Sequence, residues 1–278
     1  MATSFRAACV QLRSSEDVAA NIEDASRLIR QAAKGGAQFI ATPENTALMA
    51  ADGGAKLAKS FDEEHDPALP AFTALAKELG VRLLIGSLAI KVSDTKTANR
   101  SFVIGPDGAI KTRYSKVHLF DVDLDGGESY RESASVAGGD SAVLAETPWG
   151  GIGLSICYDV RFPRLYRSMA QAGAFAFTVP SAFTVPTGQA HWHVLLRARA
   201  IENGAFVFAP AQGGIHGNGR KTYGHSLIID PWGTVLAEGG DEPGVIFADI
   251  DPKLSEAVRA KLPSLKHDRE FAVPLTRT

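Results

Sequence analysis

The chain has 278 residues, of which 45% are hydrophobic and 22% are charged, and its formal net charge at pH 7 is −2. This composition is typical of a globular protein, and the small net charge argues against nucleic acid or an anionic membrane as a partner. Two cysteines, Cys9 and Cys157, are too few for a disulfide framework or a CxxC-type zinc site. No secretory signal and no run of about 18 apolar residues is visible, so we expect a cytoplasmic protein.

The N-terminal half predicts alternating strands and helices. Strands are predicted over residues 5–12, 38–42 and 81–90, and helices over 18–32 and 70–79, from the spacing of apolar residues. The first helix has a candidate cap at Ser14, with Asp17 three residues later. Gly80 is expected to end the second helix.

The rest of the chain adds turn signals between apolar runs. Three hairpins are predicted at Pro106-Asp107-Gly108, Pro148-Trp149-Gly150-Gly151 and Pro231-Trp232-Gly233. Between and after them we expect helices over 161–173 and 190–203 and strands over 175–181, 205–212 and 245–250. Hairpins alternating with helices indicate an α/β or α+β fold with helices covering mixed sheets. No linker is visible, so we expect one domain over 1–278, with 263–278 as a C-terminal tail.

A possible nucleophile lies at the end of one predicted strand. Cys157 closes the run GIGLSIC, immediately before polar residues. Strand ends are where sites form in α/β folds, although most free cysteines are simply buried hydrophobes. A catalytic thiol needs a base, and no histidine is near in sequence. A carboxylate and a lysine can serve instead, and Glu44 and Lys116 each follow a predicted strand. Either one alone is more often a solvated loop charge.

These residues carry a family resemblance. Glu44 in TPENT, Lys116 in YSKVHLFD and Cys157 in GLSICYDVRFP resemble the Glu-Lys-Cys triad of the nitrilase superfamily of carbon–nitrogen hydrolases. The similarity runs from Phe5 to about Phe271 and includes PSAF, HW, LLRARAIEN and YGHSLIIDPWG. The chain most resembles the Nit branch of amidases, in which Glu132 of SYRESAS matches a further glutamate. The resemblance implies a four-layer αββα sandwich, no cofactor, no catalytic metal, and a homodimer or larger homo-oligomer.

The resemblance also implies a mechanism and a substrate class. Cys157 would attack an amide carbonyl to form a thioester, Glu44 would move the protons, and Lys116 with the backbone N–H of Tyr158 would hold the oxyanion. The expected substrate is a small carboxylated amide of a 2-oxo acid, as for deaminated glutathione amidase, a metabolite-repair enzyme. The alternatives are omega-amidase, carbamoyl amidase or nitrilase activity and, from another class, a non-catalytic interaction scaffold.

Candidate substrate contacts are less constrained by the sequence. Arg161 is a candidate for a substrate carboxylate or for an ion pair with Asp159, Phe183 for an apolar wall, and Thr187 for a hydroxyl donor. The chain departs from the Nit pattern where His193 replaces a glutamate after HW and Gly213 replaces a cysteine after AQ. A metal pair of His191 and His193 is disfavoured, because residues two apart on a helix point to different faces.

Overall fold

The computed structural model describes residues 3–123 and 129–273. The described residues contain the helices α1 (Val18–Lys34), α2 (Gly53–Lys59), α3 (Ala68–Leu79), α4 (Pro163–Gln171), α5 (Val185–Asn203) and α6 (Lys253–Lys261). Their strands are β1 (Phe5–Gln11), β2 (Phe39–Ala41), β3 (Arg82–Lys91), β4 (Thr97–Ile104), β5 (Ile110–Ser115), β6 (Asp121–Asp123), β7 (Ser129–Arg131), β8 (Val136–Ala137), β9 (Val143–Thr147), β10 (Gly150–Leu154), β11 (Ala174–Thr178), β12 (Phe206–Ala209), β13 (Gly213–Ile215), β14 (Lys221–Tyr223), β15 (Leu227–Ile229), β16 (Val235–Glu238) and β17 (Gly244–Ile250). Within those ranges, no helix has the length and apolar character needed to cross a membrane.

Two mixed sheets form the centre of the molecule. The first has the strand order β17-β1-β2-β3-β4-β5, with β8 beside β4, and the second has the order β16-β15-β12-β11-β10-β9. In the first sheet β1, β2 and β3 run parallel, and in the second β10, β11 and β12 do so. The carboxyl ends of these parallel strands are where loops can gather functional side chains.

Helices cover the outer face of each sheet. One buried cluster joins the facing sides of the two sheets, for example through Cys9 and Phe39 of the first and Phe208 of the second. The helices α1 and α3 pack on the first sheet through residues such as Ile29 and Phe72. The helices α4 and α5 pack on the second sheet. The predicted four-layer αββα sandwich is therefore confirmed.

Several helix ends differ from the sequence predictions. Asp17, not Ser14, caps α1: its carboxylate accepts a hydrogen bond from the backbone N–H of Ala20 at 3.1 Å. The Ser14 hydroxyl instead donates to the carbonyl of Thr46 at 2.9 Å, a contact that only the tertiary fold creates. The helix predicted from residue 190 begins at Val185. Pro186 is tolerated in its first turn because the N–H groups there have no partner within the helix, so the missing N–H of proline costs no hydrogen bond.

Other segments were divided differently or not predicted. The helix predicted over 161–173 is a 3₁₀ turn, Cys157–Arg161, followed by α4. The helices α2 and α6 were not predicted. In α2 the reason is that the helix opens with two glycines, which favour a loop. The predicted tail is described as far as residue 273. Near its start, the carbonyl of Ser264 accepts a hydrogen bond from Arg167 of α4 at 2.6 Å.

Candidate active site

Four segments bring the predicted catalytic side chains together. Glu44 lies in the loop after β2, and Cys157 opens the 3₁₀ turn after β10. Lys116 directly follows β5, and Glu132 opens a short 3₁₀ turn after β7. Both the first and the second sheet thus contribute to one edge of the sandwich.

A glycine in β3 allows the loop that carries Glu44 to approach this closely. A Cβ atom at Gly86 would lie 2.0 Å from the carbonyl oxygen of Thr42 and 2.5 Å from that of Pro43. It would also lie 2.6 Å from the Cβ of Pro180, in the loop after β11. Because no side chain fits between these backbones, a glycine is required where the two sheets converge on the site.

The turn at Cys157 is held in an uncommon backbone conformation. Its φ of 50° lies in the left-handed region, and its N–H donates to the carbonyl of Pro180 at 3.0 Å. The buried carboxylate of Asp159 accepts from the N–H of Ile156 at 2.8 Å and the hydroxyl of Tyr114 at 2.7 Å. Its other oxygen accepts from the N–H of His118 at 3.0 Å. Asp159 therefore fixes the turn that presents the thiol.

Of the two partners considered for Arg161, Asp159 is excluded by the structure. The carboxylate of Asp159 is fully buried and already bonded, as described above, to Ile156, Tyr114 and His118. The guanidinium of Arg161 lies 3.3 Å from Nδ1 of His191 instead. Arg161 is consequently free of a carboxylate partner among the described residues.

Lys116 lies between two glutamates in an almost completely buried cluster. Its Nζ donates to Oε1 of Glu44 at 2.9 Å and to the two oxygens of Glu132 at 2.9 and 3.2 Å. The Asn99 amide in β4 donates to both glutamates, at 2.8 and 3.2 Å. The other oxygen of Glu44 accepts from the N–H of Ala182 at 2.9 Å. Every charged group of the cluster therefore has hydrogen-bonding partners.

Burial and neighbouring charges set the protonation states. Burial alone would lower the pKa of Lys116, but the Glu132 and Glu44 carboxylates outweigh it and hold that pKa well above its ordinary value. Burial alone would raise the pKa of Glu132, but the Lys116 and Lys56 charges hold it below its ordinary value. Burial, and then the charge of Glu44, raises the pKa of the Cys157 thiol, with Lys116 opposing. The resting thiol is therefore protonated at neutral pH.

A cavity of about 840 Å³ opens above this cluster. It is lined by every predicted catalytic and substrate-binding residue: Glu44, Lys116, Glu132, Cys157, Tyr158, Arg161, Phe183 and Thr187. The guanidinium of Arg161 lies over the rings of Tyr158 and Phe183, at 5.8 and 5.7 Å from their centroids. The Thr187 hydroxyl is hydrogen-bonded to that of Thr184 at 2.7 Å. The sequence predictions thus converge on one cavity, large enough for a small organic substrate.

Two cations line this cavity that the sequence did not indicate. Lys56 in α2 has its Nζ 3.4 Å from Oδ1 of Asn45, and Arg220 lies over the ring of Tyr130 at 5.8 Å. Burial lowers the pKa of Lys56, and the Arg220 charge acts in the same direction while Glu132 opposes it. We call the part of the cavity wall formed by Lys56, Arg161 and Arg220 its upper part, and its positive charge suits an anionic ligand.

Comparison with known proteins now identifies the family. A sequence profile described as carbon-nitrogen hydrolase matches residues 6–260 of the 278. The chain belongs to the carbon–nitrogen hydrolase family. The predicted hydrolase of carbon–nitrogen bonds is thereby confirmed.

Relatives of this carbon–nitrogen hydrolase include named amidases. The deaminated glutathione amidase of Synechocystis sp. PCC 6803 is 41% identical over 274 residues, covering 95% of this chain and 97% of that one. Human omega-amidase NIT2 is 35% identical over 278 residues, covering 99% of each. The crystal structure of the C. elegans NitFhit protein gives a TM-score of 0.90 at 35% identity, covering 97% of this chain and 66% of that longer chain.

Besides Arg220, three features of this carbon–nitrogen hydrolase site were missed in the sequence. Asn99 lies inside a strand, Gly86 acts through backbone contact, and Lys56 lies in a helix that was not predicted. The two residues that depart from the Nit pattern lie away from this site. Neither His193 nor Gly213 lines the cavity.

Proposed function

We propose that the chain hydrolyses an amide through a thioester on Cys157. The observation that carries this proposal is the convergence of Cys157, Glu44 and Lys116 at the base of one cavity. Burial, and then the charge of Glu44, raises the pKa of the Cys157 thiol, so a carboxylate that can accept a proton lies near the nucleophile. A protonated thiol with an adjacent base can be activated at the moment of attack.

In the proposed reaction, Glu44 carries out every proton transfer, and other groups of this chain stabilise the oxyanion. As sulfur bonds to the amide carbon, Glu44 takes the thiol proton, and the oxyanion is held by Lys116 and the backbone N–H of Tyr158. That N–H lies in the first turn of the 3₁₀ segment, where donors have no partner within the helix. Glu44 gives its proton to the departing amine as the C–N bond breaks. It then takes a proton from water, which attacks the thioester to release the acid, and the proton returns to sulfur.

Glu132 and Asn99 are positioning residues in this proposal. Glu132 contacts Lys116 through both oxygens and accepts from the N–H of Phe120 at 2.7 Å. The amide of Asn99 donates to both Glu44 and Glu132. Together they hold the ammonium and the base at fixed separation, which favours catalysis since the charges need not reorganise.

The charge of the upper cavity favours a carboxylated substrate. Lys56, Arg161 and Arg220 line it, and an Arg can hold a carboxylate through two parallel hydrogen bonds. Relatives are named deaminated glutathione amidase and omega-amidase, and the family resemblance implies amides of 2-oxo acids. We therefore propose deaminated glutathione as the substrate, in a metabolite-repair role, and 2-oxoglutaramate as the alternative.

The test is 2-oxoglutarate release by the purified protein from these two substrates, side by side. Preference for deaminated glutathione supports the repair activity, and preference for 2-oxoglutaramate supports an omega-amidase. Cys157→Ala must be inactive on both. Turnover of neither substrate, with a thiol that still reacts with an electrophile, would reject the substrate class and keep the chemistry. Activity that survives in Cys157→Ala would reject the mechanism.

Assembly and location stay predictions. We propose a homodimer or larger homo-oligomer and a cytoplasmic location, as the resemblance and the composition imply. Light scattering on the purified full chain measures the mass directly. A monomeric mass at micromolar concentration would contradict the proposed homo-oligomer.

A further inference from the structure

A second group of polar side chains lies outside the catalytic cavity. His193 on α5, His225 just before β15 and Glu238 at the end of β16 converge, and their ligand atoms all lie within 4.8 Å of one another. Oε1 of Glu238 is 3.0 Å from Nε2 of His193 and 2.9 Å from Nδ1 of His225. None of the three lines the catalytic cavity. The sequence could not reveal this group, because its members come from three separate elements.

The backbone holds His225 in place for this contact. Its φ of 53° lies in the left-handed region, its N–H donates to the carbonyl of Gly240 at 2.7 Å, and its carbonyl accepts from Nε1 of Trp192 at 2.8 Å. The Tyr223 ring stacks on the imidazole at 4.4 Å. That ring occupies the space beside Gly188, where a Cβ would lie 2.2 Å from it. The backbone hydrogen bonds and the Tyr223 ring on one face therefore fix the orientation of the imidazole.

We propose that His193, His225 and Glu238 bind a divalent transition metal ion, with Zn²⁺ the ion best matched to them. Two imidazole nitrogens and one carboxylate oxygen suit zinc, whereas magnesium and calcium prefer oxygen ligands. The three side chains are about a third exposed, at 32%, 31% and 41%, which leaves room for water as a fourth ligand. Ligand atoms about 2.0–2.2 Å from a tetrahedral zinc lie about 3.3–3.6 Å from one another. The two ring nitrogens, at 3.0 and 2.9 Å from Oε1 of Glu238, would therefore move only a few tenths of an ångström away from that oxygen.

The position of this site indicates a structural effect, not a part in the proposed hydrolysis. A metal there would link α5 to the β15–β16 hairpin on the second sheet. The helix α5 also carries Thr187 into the catalytic cavity. Metal that binds only the folded state raises the melting temperature with its concentration.

The test is titration of the full chain with Zn²⁺ by calorimetry, together with the visible spectrum of the Co²⁺ form. Both are done in wild type and in Cys157→Ala, so that the catalytic thiol cannot be the ligand measured. We expect one equivalent bound, a Co²⁺ spectrum without thiolate bands in Cys157→Ala, and a rise in melting temperature.

The variants His193→Gln and Glu238→Gln should each weaken Zn²⁺ binding at least about tenfold. Substitution of residues that only hydrogen-bond the metal ligands already lowers metal affinity by about that factor, and loss of a ligand should cost at least as much. The matched control is His65→Gln, which removes an exposed histidine that contacts a single carboxylate, that of Asp62. It should bind as wild type does. Failure of Cys157→Ala to bind Zn²⁺, or binding that survives unchanged in His193→Gln and Glu238→Gln, would overturn the proposal. Hydrolysis is not the readout, so this outcome is separate from the proposed function.

Discussion

Both the base and the upper part of the cavity contain cationic side chains, but only the cation at the base is paired with carboxylates of the protein. At the base, Lys116 lies 2.9 Å from the carboxylates of both Glu44 and Glu132. In the upper part, Lys56 and Arg161 form no ion pair with any described carboxylate. The same molecule therefore neutralises one set of charges internally and leaves the other for a ligand.

This difference separates two tasks. A buried, fully hydrogen-bonded charge cluster maintains geometry, but removing one member leaves the others buried without compensation. Cations that lack a carboxylate partner within the protein can instead bind a substrate carboxylate. Substitutions at the base should therefore change stability and kcat, whereas substitutions in the upper part should change KM.

The largest effect should follow Lys116→Met. It leaves two buried carboxylates facing each other, so the free energy of unfolding should fall by about 3–5 kcal/mol. The loss of an oxyanion donor should lower kcat by at least about 10²–10³. The matched control is Lys111→Met in β5, whose partner Asp107 is exposed and which should stay within about 0.5 kcal/mol of wild type. Urea denaturation and initial rates measure both, and a stable, active Lys116→Met would refute the account of the base.

A smaller loss of stability and activity is expected from Gly86→Ala, because this substitution leaves the buried charges in place. Its Cβ would collide with the Thr42 and Pro43 carbonyls and move the loop of Glu44. Overpacking should cost about 1–3 kcal/mol, and displacement of the base by about 1 Å should lower kcat about 10²-fold. Gly217→Ala, where a Cβ meets no atom within 4 Å, is the control. Equal activity in the two variants would show that the close approach is unimportant.

In the upper part of the cavity, Arg161→Gln should act mainly on KM. Loss of a charge-assisted hydrogen bond to the substrate should raise KM at least about tenfold, with a lesser change in kcat. Arg164→Gln, an exposed arginine three residues along the chain and outside the cavity, should have normal kinetics. A fall in kcat without a rise in KM would place Arg161 with the base instead.

The smallest effect is a change in pH dependence. The folded-state pKa of Glu132 is below its ordinary value of 4.5, so its stabilising contribution is present above that pH and is lost as the pH falls below it. Wild type should therefore lose more stability than Glu132→Gln between neutral pH and about pH 3. Urea denaturation at several pH values compares the two slopes, and parallel curves would contradict the charge assignment.

The sequence predicted the residues at strand ends better than the residues that support them. Glu44, Lys116 and Cys157 each follow an apolar run, and that pattern is local. Asn99 reads as an ordinary polar residue inside a strand, because its contacts with Glu44 and Glu132 span 55 and 33 residues. Only the tertiary fold creates such contacts.

The fold itself was largely predictable for the same reason. Periodicity and turn residues predicted most strands and the helices α1 and α3. Two local contacts were decided by distant residues. The hydroxyl of Ser14 bonds to Thr46 and does not form the predicted cap of α1. Asp159 bonds to Tyr114 and His118 and not to Arg161, its near neighbour.

The most direct test of the account is the intact mass of the protein quenched in acid during turnover of deaminated glutathione. The account predicts a transient mass increase equal to the 2-oxoglutaryl group, mapped by peptide analysis to Cys157 and absent in Cys157→Ala. Release of the acid without any adduct under conditions that trap a thioester, or an adduct on another residue, would contradict nucleophilic attack by Cys157.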